Sequence, residues 1–199
     1  LGGTGLDSGP ELNVTRAGES RTIPGSASSP GFFRARLGGR NVRFGPRALG
    51  PFLELGDYRL IVSGGHDIGS FTAPFTGPSP LNWTNRDRIE AVDRTRELVL
   101  EWRGAAADRL VIALATNVDQ DSTATGTVLC TALPAAGRLT IAPELLANMP
   151  SSTGERRIAP YNRLFLGTMP AKPLPIETSG LDGGVIIGLY TAGRFVDYR

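Results

Sequence analysis

Short apolar runs, separated by Gly, Pro, Ser and Asn, dominate the pattern along the chain. Apolar and polar residues alternate in residues 11–16 (ELNVTR) and 32–37 (FFRARL), which is typical of strands with one buried face. Residues 109–116 (RLVIALAT) are nearly all apolar and predict a central strand buried on both faces. Other runs of strand type cover residues 58–63, 68–75, 97–102, 126–133, 137–142, 162–169 and 184–191. Their spacing of about 8–12 residues, with turn-forming residues between them, predicts an all-β protein.

The segment 80–104 (PLNWTNRDRIEAVDRTRELVLEWRG) holds both tryptophans and allows two interpretations. A helix over residues 85–96 would have an apolar stripe of little more than Ile89 and Val92, and a helix of about 12 residues with so few anchors is marginal. We therefore expect an extended edge near residues 89–94, a turn, and a strand that ends at Trp102. Residues 142–150 are the clearest helical turn, because Pro143 suits a first helical position.

Breaker residues indicate where the chain divides. Gly and Pro number 26 and 15, more than long helices tolerate. They cluster in residues 76–80 (TGPSP), the best linker candidate. We predict a smaller β-rich unit over residues 1–78 and an immunoglobulin-like β-sandwich over residues 79–199.

Composition narrows the possible partners. The 21 basic and 19 acidic residues give a net charge of +2, whereas nucleic-acid binding requires clustered, uncompensated cations. No apolar run reaches the roughly 18 residues of a membrane-spanning helix. We expect neither nucleic acid nor a membrane span. The chain begins at Leu1, from which we expect a processed product or a piece of a longer protein.

Several segments resemble, in the same order, a family of uncharacterised secreted proteins of soil acidobacteria. The W-T-N of residues 83–85 leads to a strand ending in W-R-G, and residues 53–75, 128–150 and 177–188 (ETSGLDGGVIIG) match further family segments. The resemblance implies a C-terminal module of a longer extracellular protein, with no catalytic residues to transfer. Arg103, where the family has a small residue, and the arginine-rich residues 40–50 depart from the pattern.

The acidic loop after the apolar run 109–116 is the sharpest candidate for chemistry. Asp119, Asp121 and Thr123 have the D-x-D-x-T spacing of a phosphatase nucleophile loop, in which the first Asp attacks phosphorus. That fold needs alternating strands and long helices, which the pattern does not predict. A loose Ca²⁺ site at Asp119 and Asp121 is an alternative. We expect an exposed hairpin loop.

The remaining candidates have simpler structural interpretations. His66 and Asp67 are adjacent, and we expect a turn there, because a catalytic triad needs groups that converge in space. With one His and one Cys, a tetrahedral zinc site is nearly excluded. We expect Cys130 to be a small buried hydrophobe and Trp102 to be a core anchor. The arginines at positions 34, 36, 40, 43 and 47 are expected on a solvated surface.

The sequence thus favours a non-catalytic structural or adhesion module, extracellular or in the cell envelope. It would have no cofactor or metal, and its partners would be the other domains of a longer protein. The alternative is a carbohydrate-binding module, in which an exposed Trp83, together with arginine side chains or with the loop of Asp119 and Asp121, contacts a polysaccharide. A phosphatase-type enzyme at Asp119 is the third hypothesis.

Overall fold

The computed structural model describes residues 5–26, 29–35, 37, 52–77, 79–119, 121, 124–152 and 162–199. It confirms an all-β protein with several antiparallel sheets and one short parallel pair, and with a single α-helical turn in the described part. The strands are β1 (Glu11–Arg16), β2 (Glu19–Ser26), β3 (Ser29–Phe33), β4 (Asp57–Val62), β5 (Phe71–Thr76), β6 (Asn82–Trp83), β7 (Ala91–Val92), β8 (Leu98–Arg103), β9 (Arg109–Val118), β10 (Thr125–Ala132), β11 (Arg138–Ile141), β12 (Arg163–Pro170), β13 (Leu174–Ile176), β14 (Gly184–Ile186), β15 (Tyr190–Phe195) and β16 (Asp197–Tyr198). The α-helix is α1 (Pro143–Leu146), and two 3₁₀ helices cover Arg86–Arg88 and Pro134–Ala136.

The chain divides into two compact units. The first comprises residues 1–78 and Pro173–Gly188, and the second comprises residues 79–172 and Leu189–Arg199. The sequence placed residues 173–188 in the second domain, whereas here they belong to the first unit. The reason is tertiary: the backbone amide of Gly69 donates to the carbonyl of Ser179 at 2.9 Å, and nothing local in residues 173–188 shows that contact.

The first unit is built on a five-stranded antiparallel sheet with the order β3-β2-β1-β4-β5, and β13 and β14 form a separate hairpin. Val14, Phe52 and Tyr58 are buried at its centre. The edge-on contact of Phe52 with Tyr58 and the stacking of Tyr58 on Phe75 place the ring centroids 5.8 and 5.2 Å apart. Val14 is the buried residue of β1, as the alternation of apolar and polar residues in that strand predicts.

The second unit has a four-stranded sheet, β10-β9-β12-β15, and a three-stranded sheet, β11-β8-β6. Its core draws on both sheets. Leu100, Trp102 and Ile141 come from the three-stranded sheet, and Ala113 and Leu166 from the four-stranded one. Strand β9 lies in the middle of its sheet, and most of its residues are buried. The prediction from its continuous apolar run is confirmed.

The charged segment before β8 is extended, as expected, with one addition. A 3₁₀ helix covers Arg86–Arg88, and residues Ala91–Val92 then form β7, which pairs in parallel with β16. Ile89 and Val92 are buried in the core of the second unit. The predicted helical turn is α1, which begins at Pro143 and is shorter than residues 142–150.

Two of the predicted strands differ from the structure, and β2 was not predicted. The strand predicted over residues 32–37 lies at Ser29–Phe33. Pro24 and Gly25, which are unfavourable in strands, interrupt the pattern of β2. The run 184–191 contains two strands, β14 and the start of β15, that belong to different units. Apolar content alone could not show that the chain leaves one sheet and enters another within those eight residues.

Candidate functional site

Trp83 lies in the interior of the second unit. It pairs with Trp102 across β6 and β8, and its side chain is only 6% exposed. Its indole N–H donates to the amide oxygen of Asn85 at 2.9 Å. The carbohydrate-binding alternative assumed an exposed Trp83, and this assumption is wrong, because the apolar sheet face buries the ring. Trp102 is 3% exposed and is the core anchor that its strand position predicted.

The side chain of Asn85 links the segment around β6 to β8, and the sequence analysis did not identify this role. Its amide oxygen also accepts the backbone N–H of Glu101 at 3.0 Å, and its amide nitrogen donates to the carbonyl of Val99 at 2.8 Å. Its position two residues after a buried tryptophan was the available signal. The three hydrogen bonds of Asn85, the last residue of the W-T-N sequence, therefore join β6 to β8. We call these hydrogen bonds the Asn85 clamp.

The acidic loop joins β9 and β10, which confirms the predicted hairpin. The backbone N–H of Asp119 donates to the carbonyl of Ala124 at 3.0 Å. Asp119 is half-buried and Asp121 is exposed, and residues 120, 122 and 123 lie outside the described residues. Trp83 belongs to the other sheet of the same unit. Within the described residues, no cluster of three or more His, Cys, Asp or Glu side chains could hold a metal ion.

His66 and Asp67 belong to a hydrogen-bonded loop of the first unit, together with Asp7. Nδ1 of His66 lies 2.9 Å from Oδ1 of Asp67, and the other oxygen of Asp67 accepts the backbone N–H of Asp7 at 2.8 Å. Asp7 in turn accepts the backbone N–H groups of Gly9 and His66. The His66 side chain is 90% exposed. These contacts form the predicted turn, with Asp7 added from a distant part of the sequence.

The electrostatics of this loop follow from its hydrogen bonds. Accepting the N–H groups of Gly9 and His66 lowers the pKa of Asp7. The Asp7 amide and the His66 ring lower the pKa of Asp67, and the hydrogen bond to Asp67 raises the pKa of His66. These shifts favour a charged His66–Asp67 pair.

Two further predictions concern Cys130 and the arginine-rich stretch. Cys130 is half-buried against the core of the second unit, and burial raises the pKa of its thiol. Arg34 is exposed, while Arg36, Arg40, Arg43 and Arg47 lie outside the described residues.

A cationic groove opens beside β15 in the second unit, and the sequence analysis did not identify it. We call it the arginine groove. Its volume is about 550 Å³, and it is lined by Arg86, Glu90, Arg163, Gly193, Arg194 and Phe195. The 3₁₀ helix supplies Arg86, the start of β12 supplies Arg163, and the end of β15 supplies the last three residues. Residues far apart in the sequence therefore bring three guanidinium groups together.

The guanidinium groups of the arginine groove are held in different ways. The Arg163 guanidinium carbon lies 3.9 Å from the ring centroid of Phe195. Arg86 donates through Nη2 to the carbonyl of Gly193 at 3.0 Å, and Arg194 donates through Nη1 to Oδ1 of Asp87 at 3.2 Å. Such an arrangement can attract an anion, because arginine stays charged at all ordinary pH values.

None of the helices in the described part of the chain has the length and apolar character that a membrane crossing requires.

Comparisons with known proteins add no assignment. No family model matches the chain, and neither a curated protein nor a solved structure matches it.

Proposed function

We propose that this chain is a non-catalytic structural or adhesion module of a secreted or cell-envelope protein, with an immunoglobulin-like sandwich as its second unit. The observation that carries the proposal is an open groove with three arginines on a two-sheet scaffold. Within the described part of the chain, the lining contains no Ser, Cys or His beside a base, so the groove suits binding better than nucleophilic catalysis. Its open form suits a contact surface for an extended partner.

The strand arrangement supports the immunoglobulin-like part of the proposal. Such sandwiches place the first, second and fifth strands in one sheet and the third, sixth and seventh in the other. The two-residue β7, which pairs with β16, is left out of the count. The first, second and fifth strands are then β6, β8 and β11, which form one sheet, and the third, sixth and seventh are β9, β12 and β15, which belong to the other. The fourth strand, β10, pairs with β9. This differs from the constant-type domain, in which the fourth strand belongs to the first sheet.

Extracellular location and bacterial origin rest on the resemblance of the W-T-N, W-R-G and S-G-L-D segments to secreted acidobacterial proteins. In this proposal, the partners are other domains of the same longer protein and an envelope polysaccharide. Fold alone does not assign such a role, and the proposal therefore needs a direct assay.

Affinity electrophoresis of the purified chain through gels that contain neutral or acidic polysaccharides tests the adhesion role. We expect at least one polysaccharide to retard the chain without degradation of the polymer. Parallel assays with ester, glycoside and phosphomonoester substrates should show no turnover. Phosphomonoester hydrolysis that disappears in Asp119→Asn would instead establish the phosphatase hypothesis and overturn the proposal.

Carbohydrate binding is the second candidate, and the arginine groove favours it. Trp83 is buried, so it cannot stack on a sugar as the carbohydrate-binding alternative required. The arginine side chains that this alternative also required are present in the groove as Arg86, Arg163 and Arg194. A glycan array probed with and without Ca²⁺ tests this candidate. Ca²⁺-dependent binding would implicate Asp119 and Asp121, and Ca²⁺-independent binding that requires Arg86 would implicate the groove.

A further inference from the structure

We propose that the arginine groove binds the carboxylate of a uronic acid residue within an acidic polysaccharide. This inference rests on the proposed adhesion role and specifies its ligand. Three features of the groove favour this ligand: the way in which Arg163 is held, the donors beside it, and the charge of the groove.

Arg163 is fixed by aromatic rings. It pairs with Phe195 across β12 and β15, and its guanidinium carbon also lies 5.8 Å from the ring centroid of Phe165. Phe165 pairs with Gly193, where a methyl group would come within 2.9 Å of the Phe165 ring. The absence of a side chain at Gly193 therefore leaves room for the ring. Cation–π contacts orient a guanidinium without neutralising its charge.

No carboxylate among the described residues forms an ion pair with Arg163. Its Nε is buried and has no hydrogen-bond partner in that part of the structure. Arginine carries five N–H donors, and its planar end matches a carboxylate in two parallel hydrogen bonds. Arg163 is thus oriented and charged, and it has no acidic partner among the residues that the structure describes.

Arg86 and Arg194 extend this donor set. Arg86 donates a side-chain hydrogen bond to the carbonyl of Gly193, and Arg194 donates one to Asp87. Arg86 is exposed, so solvent and ligands can reach its side chain. A ligand oxygen at the groove can therefore meet more than one arginine.

The described residues of the groove carry a net positive charge. Glu90 in the lining and Asp87 on Arg194 oppose the three guanidinium groups, and among these residues one positive charge is left over, which a single carboxylate balances. A volume of about 550 Å³ lies within the range of small-ligand sites. The open groove allows a polymer to continue on both sides of the bound residue.

Binding of tetragalacturonate and of its methyl ester, measured by isothermal titration calorimetry, tests the inference. The two ligands share their rings and differ in the charged carboxylate. We expect the acid to bind at least about tenfold more tightly than the ester, because the ester lacks the charge that strengthens the hydrogen bonds to arginine. Affinity for the acid should fall as salt rises.

Arg86→Gln and Arg163→Gln should each weaken binding of the acid by about tenfold or more. Arg138→Gln is the matched control, because Arg138 is an exposed arginine of the same unit and lies on β11, outside the groove lining. Arg86 lies on an exposed 3₁₀ turn with no buried residue, so its variant should keep the fold if Arg163→Gln does not. Circular dichroism verifies folding.

The outcomes separate this inference from the adhesion role. Equal binding of acid and ester, unchanged binding by Arg86→Gln, or a preference for a sulfated polysaccharide or inorganic phosphate would overturn the uronate site. Retention of the chain on a neutral polysaccharide, unaffected by Arg86→Gln, would leave adhesion standing without this site. A wild-type chain that is retained by no polysaccharide would remove the adhesion role, and the uronate site with it.

Discussion

At the scale of single residues, buried polar side chains with several partners specify local structure more strongly than isolated charges do. Asn85 makes three hydrogen bonds, to Trp83, Glu101 and Val99, from a site that is 9% exposed. Because a buried donor or acceptor without a partner costs more than a hydrogen bond contributes, the clamp at Asn85 fixes β6 against β8.

Asn85→Ala should lower the free energy of unfolding of the second unit by about 3 kcal/mol, because it removes the partner of one buried and two partly buried groups. Urea denaturation followed by tryptophan fluorescence measures this loss, since both tryptophans lie in the second unit. Asn148→Ala is the control: Asn148 is exposed, and its loss should cost less than about 0.5 kcal/mol. Equal effects of the two variants would contradict the clamp.

The pKa of His66 should lie above its ordinary value of about 6.5, because Asp67 accepts a hydrogen bond from the protonated ring. His66 is the only histidine, so proton NMR follows its titration without ambiguity. Asp67→Asn should bring the pKa back toward 6.5 while an amide oxygen still accepts the Asp7 N–H. Asp57→Asn, elsewhere in the unit, should leave the titration unchanged.

The sign of the pH dependence follows from these directions. A raised His66 pKa contributes stability below about 6.5 that is lost as pH rises through the folded value. The lowered pKa values of Asp7 and Asp67 contribute stability above about 3.8 that is lost as pH falls through the folded values. The loop should be most stable between these limits. Amide protection factors, which compare exchange with the intrinsic rate at each pH, measure this, and protection that is greatest outside that window would contradict the assignment.

At the scale of elements, strand pairing in the second unit depends on glycines that admit a neighbouring backbone or ring. Gly167 of β12 pairs with Thr191 of β15, and a methyl group at Gly167 would overlap the carbonyl oxygen of Tyr190. Gly193 gives space to the Phe165 ring in the same pair of strands. The β12–β15 pairing, which also supports the arginine groove, therefore needs small residues on both strands.

Gly167→Ala should destabilise the second unit by about 1–3 kcal/mol, because the added methyl group forces the two backbones apart. Thermal unfolding measures the change. Gly183→Ala is the control, since a methyl group there meets no atom within 4 Å. A variant at position 167 as stable as the wild type would show that the pairing can relax, contrary to the close approach seen here.

At the scale of the whole molecule, each of the two units is built from two separate stretches of the chain. After β12 it contributes Pro173–Gly188 to the first unit and then returns to the second as β15. Thr178 and Ser179 hydrogen-bond to the backbone of Gly69, and Gly180 adopts a φ of +85°, which favours glycine. The first unit is therefore completed by a segment distant in sequence.

Replacing residues 173–187 with a short Gly–Ser linker should destabilise the first unit selectively. Strand β12 pairs directly with β15, so a short connection can join them. We expect amide exchange in β4 and β5 to accelerate by about tenfold or more, as the loss of one hydrogen bond of about 1.4 kcal/mol implies. Exchange in β8 and β11 is the internal control, and acceleration there alone would contradict the assignment.

The sequence by itself determined the all-β class, most strand positions, the burial of β9 and the turn at Pro143, because side-chain period and turn chemistry are local properties. It could not exclude an exposed Trp83, find Asn85 or assign residues 173–188, because each depends on neighbours from distant segments. The arginine groove likewise exists only where the 3₁₀ helix, β12 and β15 meet. Tertiary structure decided these features, because packing and hydrogen bonding act between residues that the linear order keeps apart.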